Sequence, residues 1–163
     1  MNKIIVIGCP GSGKSTFSKK LNKITNIELI HLDILFWNSD KTTVPNNIFL
    51  ERLNSVLNKE QWIIDGDYSK TMELRMKECD TIIFLDYPKD IWLEGIKNRI
   101  GQKRSDLPWI ETSTNEDLEF INLVKEYNIK KRPKVIELLN KYSNKNIYIF
   151  KNRKEAEEFL KNI

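Results

Sequence analysis

The sequence predicts a three-layer α/β fold: a five-stranded parallel sheet with helices on both faces and a small lid. Three observations carry that expectation. Short apolar runs alternate with amphipathic stretches along the whole chain, the pattern that builds parallel sheets through right-handed crossovers. Thr81-Ile82-Ile83-Phe84-Leu85-Asp86 is apolar without alternation, as a strand covered on both faces must be. Gly8-Cys9-Pro10-Gly11-Ser12-Gly13-Lys14-Ser15 follows Ile4-Ile5-Val6-Ile7 directly and satisfies every position of G-x-x-x-x-G-K-[ST], a loop that wraps a polyphosphate at a strand-to-helix junction.

Taken in order, the first strand ends in that loop, and Phe17, Leu21 and Ile24 then share one face of a helix. Glu28 to His31 reads as a second strand. Leu32 to Trp37 is apolar and Asn38 to Thr43 polar, before Pro45-Asn46 opens a helix with Phe49, Leu50, Leu53, Val56 and Leu57 inward. Trp62 to Asp65 is a third strand, and Ser69 is placed to cap a helix through about Cys79. After the fourth strand, Pro88 starts a helix carrying Ile91, Trp92, Ile96 and Ile100. Gly101 to Pro108 contains breakers and charge but no periodicity, which predicts a mobile lid. Helices over about 115–128 and 131–142, a fifth strand at Asn146 to Lys151 and a last helix with Ala156, Phe159, Leu160 and Ile163 complete the chain.

The loop's chemistry follows from its residues. Gly8, Gly11 and Gly13 permit the turns that aim successive N–H groups, with Ser12 among them, at an anion lying on the positive end of the next helix. Lys14 reaches the β- and γ-phosphates, Ser15 ligates Mg²⁺, and Thr16 either adds a hydroxyl or caps and packs the helix. No Asn-Lys-x-Asp follows the fourth strand, where the chain gives Asp86-Tyr87-Pro88-Lys89. The expected cofactors are therefore ATP, rather than GTP, and Mg²⁺.

A length of 163 residues suits one domain. No apolar stretch approaches the roughly 20 residues that span a bilayer, and Pro10 to Gly13 interrupts the apolar N-terminus before a secretory core forms. A cytoplasmic protein without a membrane partner is expected. Cys9 and Cys79 lack metal spacing and read as free thiols. The net charge of +4 comes from 27 basic residues scattered among 23 acidic ones, which argues against a nucleic-acid partner. Of those bases only six are arginines, at 52, 75, 99, 104, 132 and 153. They carry extra weight because a guanidinium offers phosphate a planar fork.

Asp33, Asp65 and Asp86 each stand at or next to a strand end, where the topology points them toward the phosphates. A carboxylate there holds the Mg²⁺ shell, accepts a proton from an attacking hydroxyl, or merely caps the following helix. Asp86-Tyr87-Pro88 looks most like a cap. The lone His31 reads as a hydrogen-bonded structural residue.

Trp62-Ile63-Ile64-Asp65-Gly66 resembles the Asp-Gly element of adenylate kinases. His31-Leu32-Asp33 with Trp37, Trp62 to Ser69, and Ile82 to Pro88 more closely resemble the adenylate-kinase-related DNA topology modulation (FlaR-like) proteins. The resemblance implies a P-loop, nucleoside monophosphate kinase-like fold with strand order 2-3-1-4-5, an acceptor-binding helical segment over about 34–60 and a lid over about 100–130. It implies Asp65 as the Mg²⁺-organising carboxylate and Asp33 as base or acceptor ligand, with Trp37, Asp67 and Tyr68 on the acceptor side. Trp37 and Tyr68 either stack on an aromatic base or belong to the core. Adenylate kinases continue Asp-Gly with Phe-Pro-Arg, whereas this chain has Asp67-Tyr68-Ser69, so AMP is doubtful as acceptor. Arg75, or less readily Arg52, is the candidate replacement for the missing arginine.

Arg99 to Arg104 resembles the arginine-bearing opening of the adenylate kinase lid. There Arg99 flanks the nucleotide base, while Arg104 and Arg132 either close over the triphosphate or pair locally. Asn152 falls where the adenine is contacted. The function expected is Mg²⁺-dependent transfer of the ATP γ-phosphoryl group to a small acceptor, a nucleotide among the candidates. The alternative is a nucleotide-binding regulator of DNA topology without kinase turnover, suggested only by the family's name.

Overall fold

The strand leading into the glycine-rich loop, β1 (Lys3–Gly8), lies at the centre of a parallel sheet of order β2-β3-β1-β4-β5. The computed structural model describes residues 1–98, 100–110, 122 and 126–163; Arg99 and most of the helix expected over about 115–128 lie outside them. β2 (Leu29–His31) and β3 (Trp62–Asp65) flank β1 on one side, β4 (Thr81–Leu85) and β5 (Asn146–Phe150) on the other. Ile4 to Ile7 and Ile82 to Phe84 are wholly buried, because helices cover both faces of these strands.

Alternation along the strands divides the core in two. Ile4, Val6, Ile63 and Ile83 pack with Phe17 and Leu21 of α1 (Lys14–Thr25), and with residues of a helix after β4 and of the C-terminal helix. Ile5, Ile7, Ile64 and Phe84 face the other way. Their partners include Leu32 of α2 (Leu32–Phe36), Phe49 and Leu53 of α3 (Asn46–Leu57), and Met72 and Met76 of α4 (Ser69–Glu78). On the first face the two further helices are α5 (Lys89–Lys97) and, after α6 (Tyr127–Lys130) and α7 (Arg132–Lys141), α8 (Arg153–Lys161). No helix among the described residues is long and apolar enough to cross a membrane.

Register places the chemistry. Asp65 pairs with both His31 and Val6, and Leu85 pairs with both Gly8 and Phe150. All five strands therefore finish at one edge, where ligands of open parallel sheets bind.

Three expectations fail locally. Ile24 is exposed, because Asn26 ends α1 in a left-handed turn (φ 57°) and Ile27 enters the core in its place. Ser69 does not cap α4; it is the first helical residue, and the cap position belongs to Tyr68, whose side chain is engaged elsewhere. Ile163 lies beyond α8 and is exposed.

A helical glycine missed by periodicity seats α5 on the phosphate loop. A Cβ at Gly95 would fall 2.1 Å from the Gly11 carbonyl oxygen, and one at Gly11 (φ 86°) would fall 2.1 Å from that of Trp92. Alanine at 95 gains about 1 kcal/mol of helix propensity against an overpacking cost of about 1–3 kcal/mol. Since the obstacle is main chain and cannot swing aside, the cost prevails. Gly95→Ala is expected to lower the thermal unfolding midpoint and weaken nucleotide binding, both readable by calorimetry; unchanged values would show the contact to be dispensable.

Candidate functional site

The loop after β1 is held by its own polar groups. Lys14 Nζ donates to the carbonyls of Gly8 (2.8 Å) and Cys9 (3.1 Å), and the Ser12 N–H donates to Cys9 O at 3.0 Å. Gly13 occupies the cap position of α1 with no side-chain cap, and the first turn of α1 carries no acidic residue. Its positive end is thus left facing a cavity of about 490 Å³, within the range that accommodates small-molecule ligands. Residues 11–17 form the floor; Asn98, Gln102, Arg104 and Asp106 form one wall, and Arg153, Ala156 and Glu157 another. The buried Ser12 hydroxyl has no hydrogen-bond partner among the described residues, a leftover group that a bound polyanion can satisfy.

Across from Lys14 stand the carboxylates at the strand ends. Asp65 is buried, with Oδ1 2.7 Å from His31 Nδ1, so His31 is hydrogen-bonded, as expected. Asp65 Oδ2 has no partner among the described residues. Asp33, in the first turn of α2, accepts a 2.6 Å hydrogen bond from the Tyr68 hydroxyl. Burial raises the Asp33 carboxyl above its ordinary value, outweighing that hydrogen bond and the attraction of Lys14. Burial first, and then Asp33, push the Tyr68 phenol far up, which keeps it a donor.

Asp67 is a second enclosed carboxylate, 8% exposed in its side chain and 3.8 Å from Lys131 Nζ. Neither of its oxygens has a hydrogen-bond partner among the described residues. Burial raises its pKa against the pull of Lys14, Lys131 and Arg75. Tyr68 meets Phe36 edge-on and Phe49 at a tilt, and Trp37 meets Trp109 edge-on at 5.3 Å. Both aromatics thus take part in ring packing while remaining half-buried.

Several arginines are not where the sequence expectation needs them. Arg75 is wholly buried and donates to the carbonyls of Gly66 and Tyr68, each at 3.0 Å. Burial pushes its pKa down to about 10, so it remains cationic, but it cannot grip an acceptor from there. Arg52 donates to Leu35 O at 3.2 Å. Arg132 does not line the cavity; it forms a bidentate pair with Asp86, 2.8 Å on each branch. Asp86 also pairs with Lys151, and these partners outweigh burial and hold its carboxyl below the ordinary range. The expected cap at Asp86 is thus an ion-pair hub. Asn152 caps α8 by accepting from Glu155 N at 3.0 Å, so its side chain is committed and it is Arg153 that lines the cavity.

Of the expected lid clamp, Arg104 alone reaches the loop side, and it pairs there with Asp106. Asp106 is the residue that sequence reasoning underrated. It was legible only as a local partner two positions after Arg104, whereas it is 3% exposed in its side chain, 3.9 Å from Lys19 and in contact with the Ser15 hydroxyl.

No protein-family model matches the chain, and no curated protein matches it. Solved structures do. Shikimate kinase from Aquifex aeolicus vf5 is 22% identical with a TM-score of 0.54, over 98% of this chain and 91% of that one. Shikimate kinase from Acinetobacter baumannii in complex with shikimate is 16% identical with a TM-score of 0.61, over 99% and 90%. A sugar kinase from Janibacter sp. HTCC2649 is 12% identical with a TM-score of 0.54, over 98% and 90%. The chain therefore has the P-loop, nucleoside monophosphate kinase-like fold, with the strand order expected from the sequence.

Removing the Arg75 guanidinium would strand two partly buried carbonyls and leave Asp67 with one fewer neighbouring cation. Arg75→Met is expected to lose on the order of 3 kcal/mol of stability, measured by denaturant unfolding. A loss below about 1 kcal/mol would contradict a structural role.

Proposed function

We propose that this chain is a Mg²⁺-dependent phosphotransferase that moves the γ-phosphoryl group of ATP to a small hydroxyl-bearing acceptor. The observation that carries the reading is the opposition of two half-sites. A loop with an uncapped helix N-terminus and Lys14 faces strand-end carboxylates, of which Asp33 and Asp67 feel the Lys14 charge. The fold is one that shikimate kinases and a sugar kinase also adopt.

The residues fit the groups they would hold. The loop N–H groups, the Ser12 hydroxyl and Lys14 bind the phosphates, and the far wall at Arg153 and Ala156 receives the base. Ser15 and the open Asp65 Oδ2 are the metal's protein ligands, directly or through water. Among the described residues no group of three or more His, Cys, Asp or Glu forms a metal cage, which suits an ion whose remaining ligands are phosphate oxygens and water. When bound, Mg²⁺ neutralises charge developing on the transferred group.

Asp33 orients the acceptor hydroxyl and takes its proton. Tyr68 fixes the carboxylate through Oδ1, and burial raises its proton affinity toward what a general base requires. Asp67 binds a second donor group of the acceptor. Arg104 stabilises negative charge over the phosphates once they are in place.

An ADP-release screen across nucleoside monophosphates, nucleosides and small alcohols tests the reading. Acceptor-stimulated release that disappears in Lys14→Ala is expected; its absence with every acceptor refutes phosphoryl transfer to these classes. Because the base must be ionised, kcat/KM should fall as pH drops through a pKa above the ordinary 3.8 of aspartate. Asp33→Asn should remove that acid limb and reduce turnover by about 10² or more while leaving ATP affinity nearly unchanged; a retained limb would assign the base elsewhere.

A further inference from the structure

At the point where the loop is built to receive phosphate, the chain presents an anion of its own. The Asp106 side chain is 3% exposed. Its Oδ1 accepts from Arg104 Nε at 3.1 Å, its Oδ2 accepts from Arg104 Nη2, and Lys19 Nζ lies 3.9 Å from Oδ1. The Ser15 hydroxyl is a further partner. Asp106 thus holds three of the groups that a polyphosphate and its metal at this loop would need: the serine hydroxyl, a lysine of the first helix and Arg104.

We propose that Asp106 is an internal occupant of the phosphate site, a carboxylate latch that nucleotide phosphates displace. Binding is then an exchange. Lys19 turns to the phosphates, Ser15 is released for the metal, Asp106 withdraws with the 101–108 segment, and Arg104 passes from Asp106 to the incoming oxygens. This rests on the phosphate-binding reading of the loop.

Geometry makes the exchange necessary. The Asp106 carboxyl already takes both branches of the Arg104 fork beside Lys19 in a nearly closed position, and the oxygens of a triphosphate cannot use the same donors while it stays there. A metal-ligand role for Asp106 is disfavoured by its geometry, since one guanidinium already engages both oxygens, whereas Asp65 Oδ2 has no partner among the described residues. The chain also has somewhere to pivot. Gly101 adopts φ 76°, with nothing within 4 Å of the position a Cβ would take.

Calorimetric titration of the full-length chain with ATP, ADP and adenosine, each with and without Mg²⁺, tests this in Asp106→Asn and Asp106→Ser. Removing an occupant that closes the site most of the time should tighten ATP and ADP about tenfold, with or without Mg²⁺, and leave adenosine unchanged. Unchanged or weaker ATP binding overturns the latch; weakening confined to Mg²⁺-containing samples would instead make Asp106 a metal-positioning residue. Trp109 supplies a readout that does not depend on either variant folding. The difference in emission between the unaltered chain and Trp109→Phe should change on ATP saturation, and no change overturns the latch. Failure of the unaltered chain to bind ATP at all would refute the phosphate-loop reading itself, whereas ATP binding without tightening in the variants refutes only the latch.

Discussion

The two hydrogen bonds from the enclosed Arg75 guanidinium to the carbonyls of Gly66 and Tyr68 hold the turn after β3 in one shape, and the carboxylates around it hang on that turn. Asp65 precedes it, Asp67 lies within it, and Tyr68 leaves it to fix Asp33 on a different element. A carbonyl buried without a donor is costly, so a side chain that satisfies two at once constrains the backbone strongly. The same cation also eases the burial of Asp67. One helix residue with no exposed surface thereby sets the spacing of three carboxylates.

Arginine is scarce here, and its use follows from geometry. Arg52 and Arg75 satisfy backbone carbonyls, Arg132 locks the end of β4 through Asp86, and Arg153 lies 3.7 Å from Glu94. The planar fork that suits phosphate suits carbonyl pairs and carboxylates equally well. In the proposed reading, phosphate recognition is left mainly to backbone N–H groups, a helix end and Lys14, which need no long side chain to be ordered.

The strands and the loop were legible because each depends on local signals: unbroken apolar runs, a strand-to-helix motif and a helix stripe; the strand order came only from the resemblance to adenylate-kinase-related proteins. The row of aspartates was legible for a related reason, since a parallel sheet brings every strand end to one edge. What stayed hidden depends on direction and distance. Nothing in Met72 to Met76 says that Arg75 points inward, because charge alone suggests solvent. Gly95 reads as a weak helix residue until Gly11 is found against it. Asp106 reads as a surface partner for Arg104 until it is found against Ser15. Arg132 and Asp86 are 46 positions apart in sequence and meet only through the fold.

The edge-on contact between Trp37 and Trp109 joins the end of α2 to the segment that carries Arg104 and Asp106. A displacement of either segment changes what packs on the other. Thermodynamic reciprocity then applies: if a ligand moves the Arg104 side, whatever it does to affinity beside Trp37 is returned by the same factor.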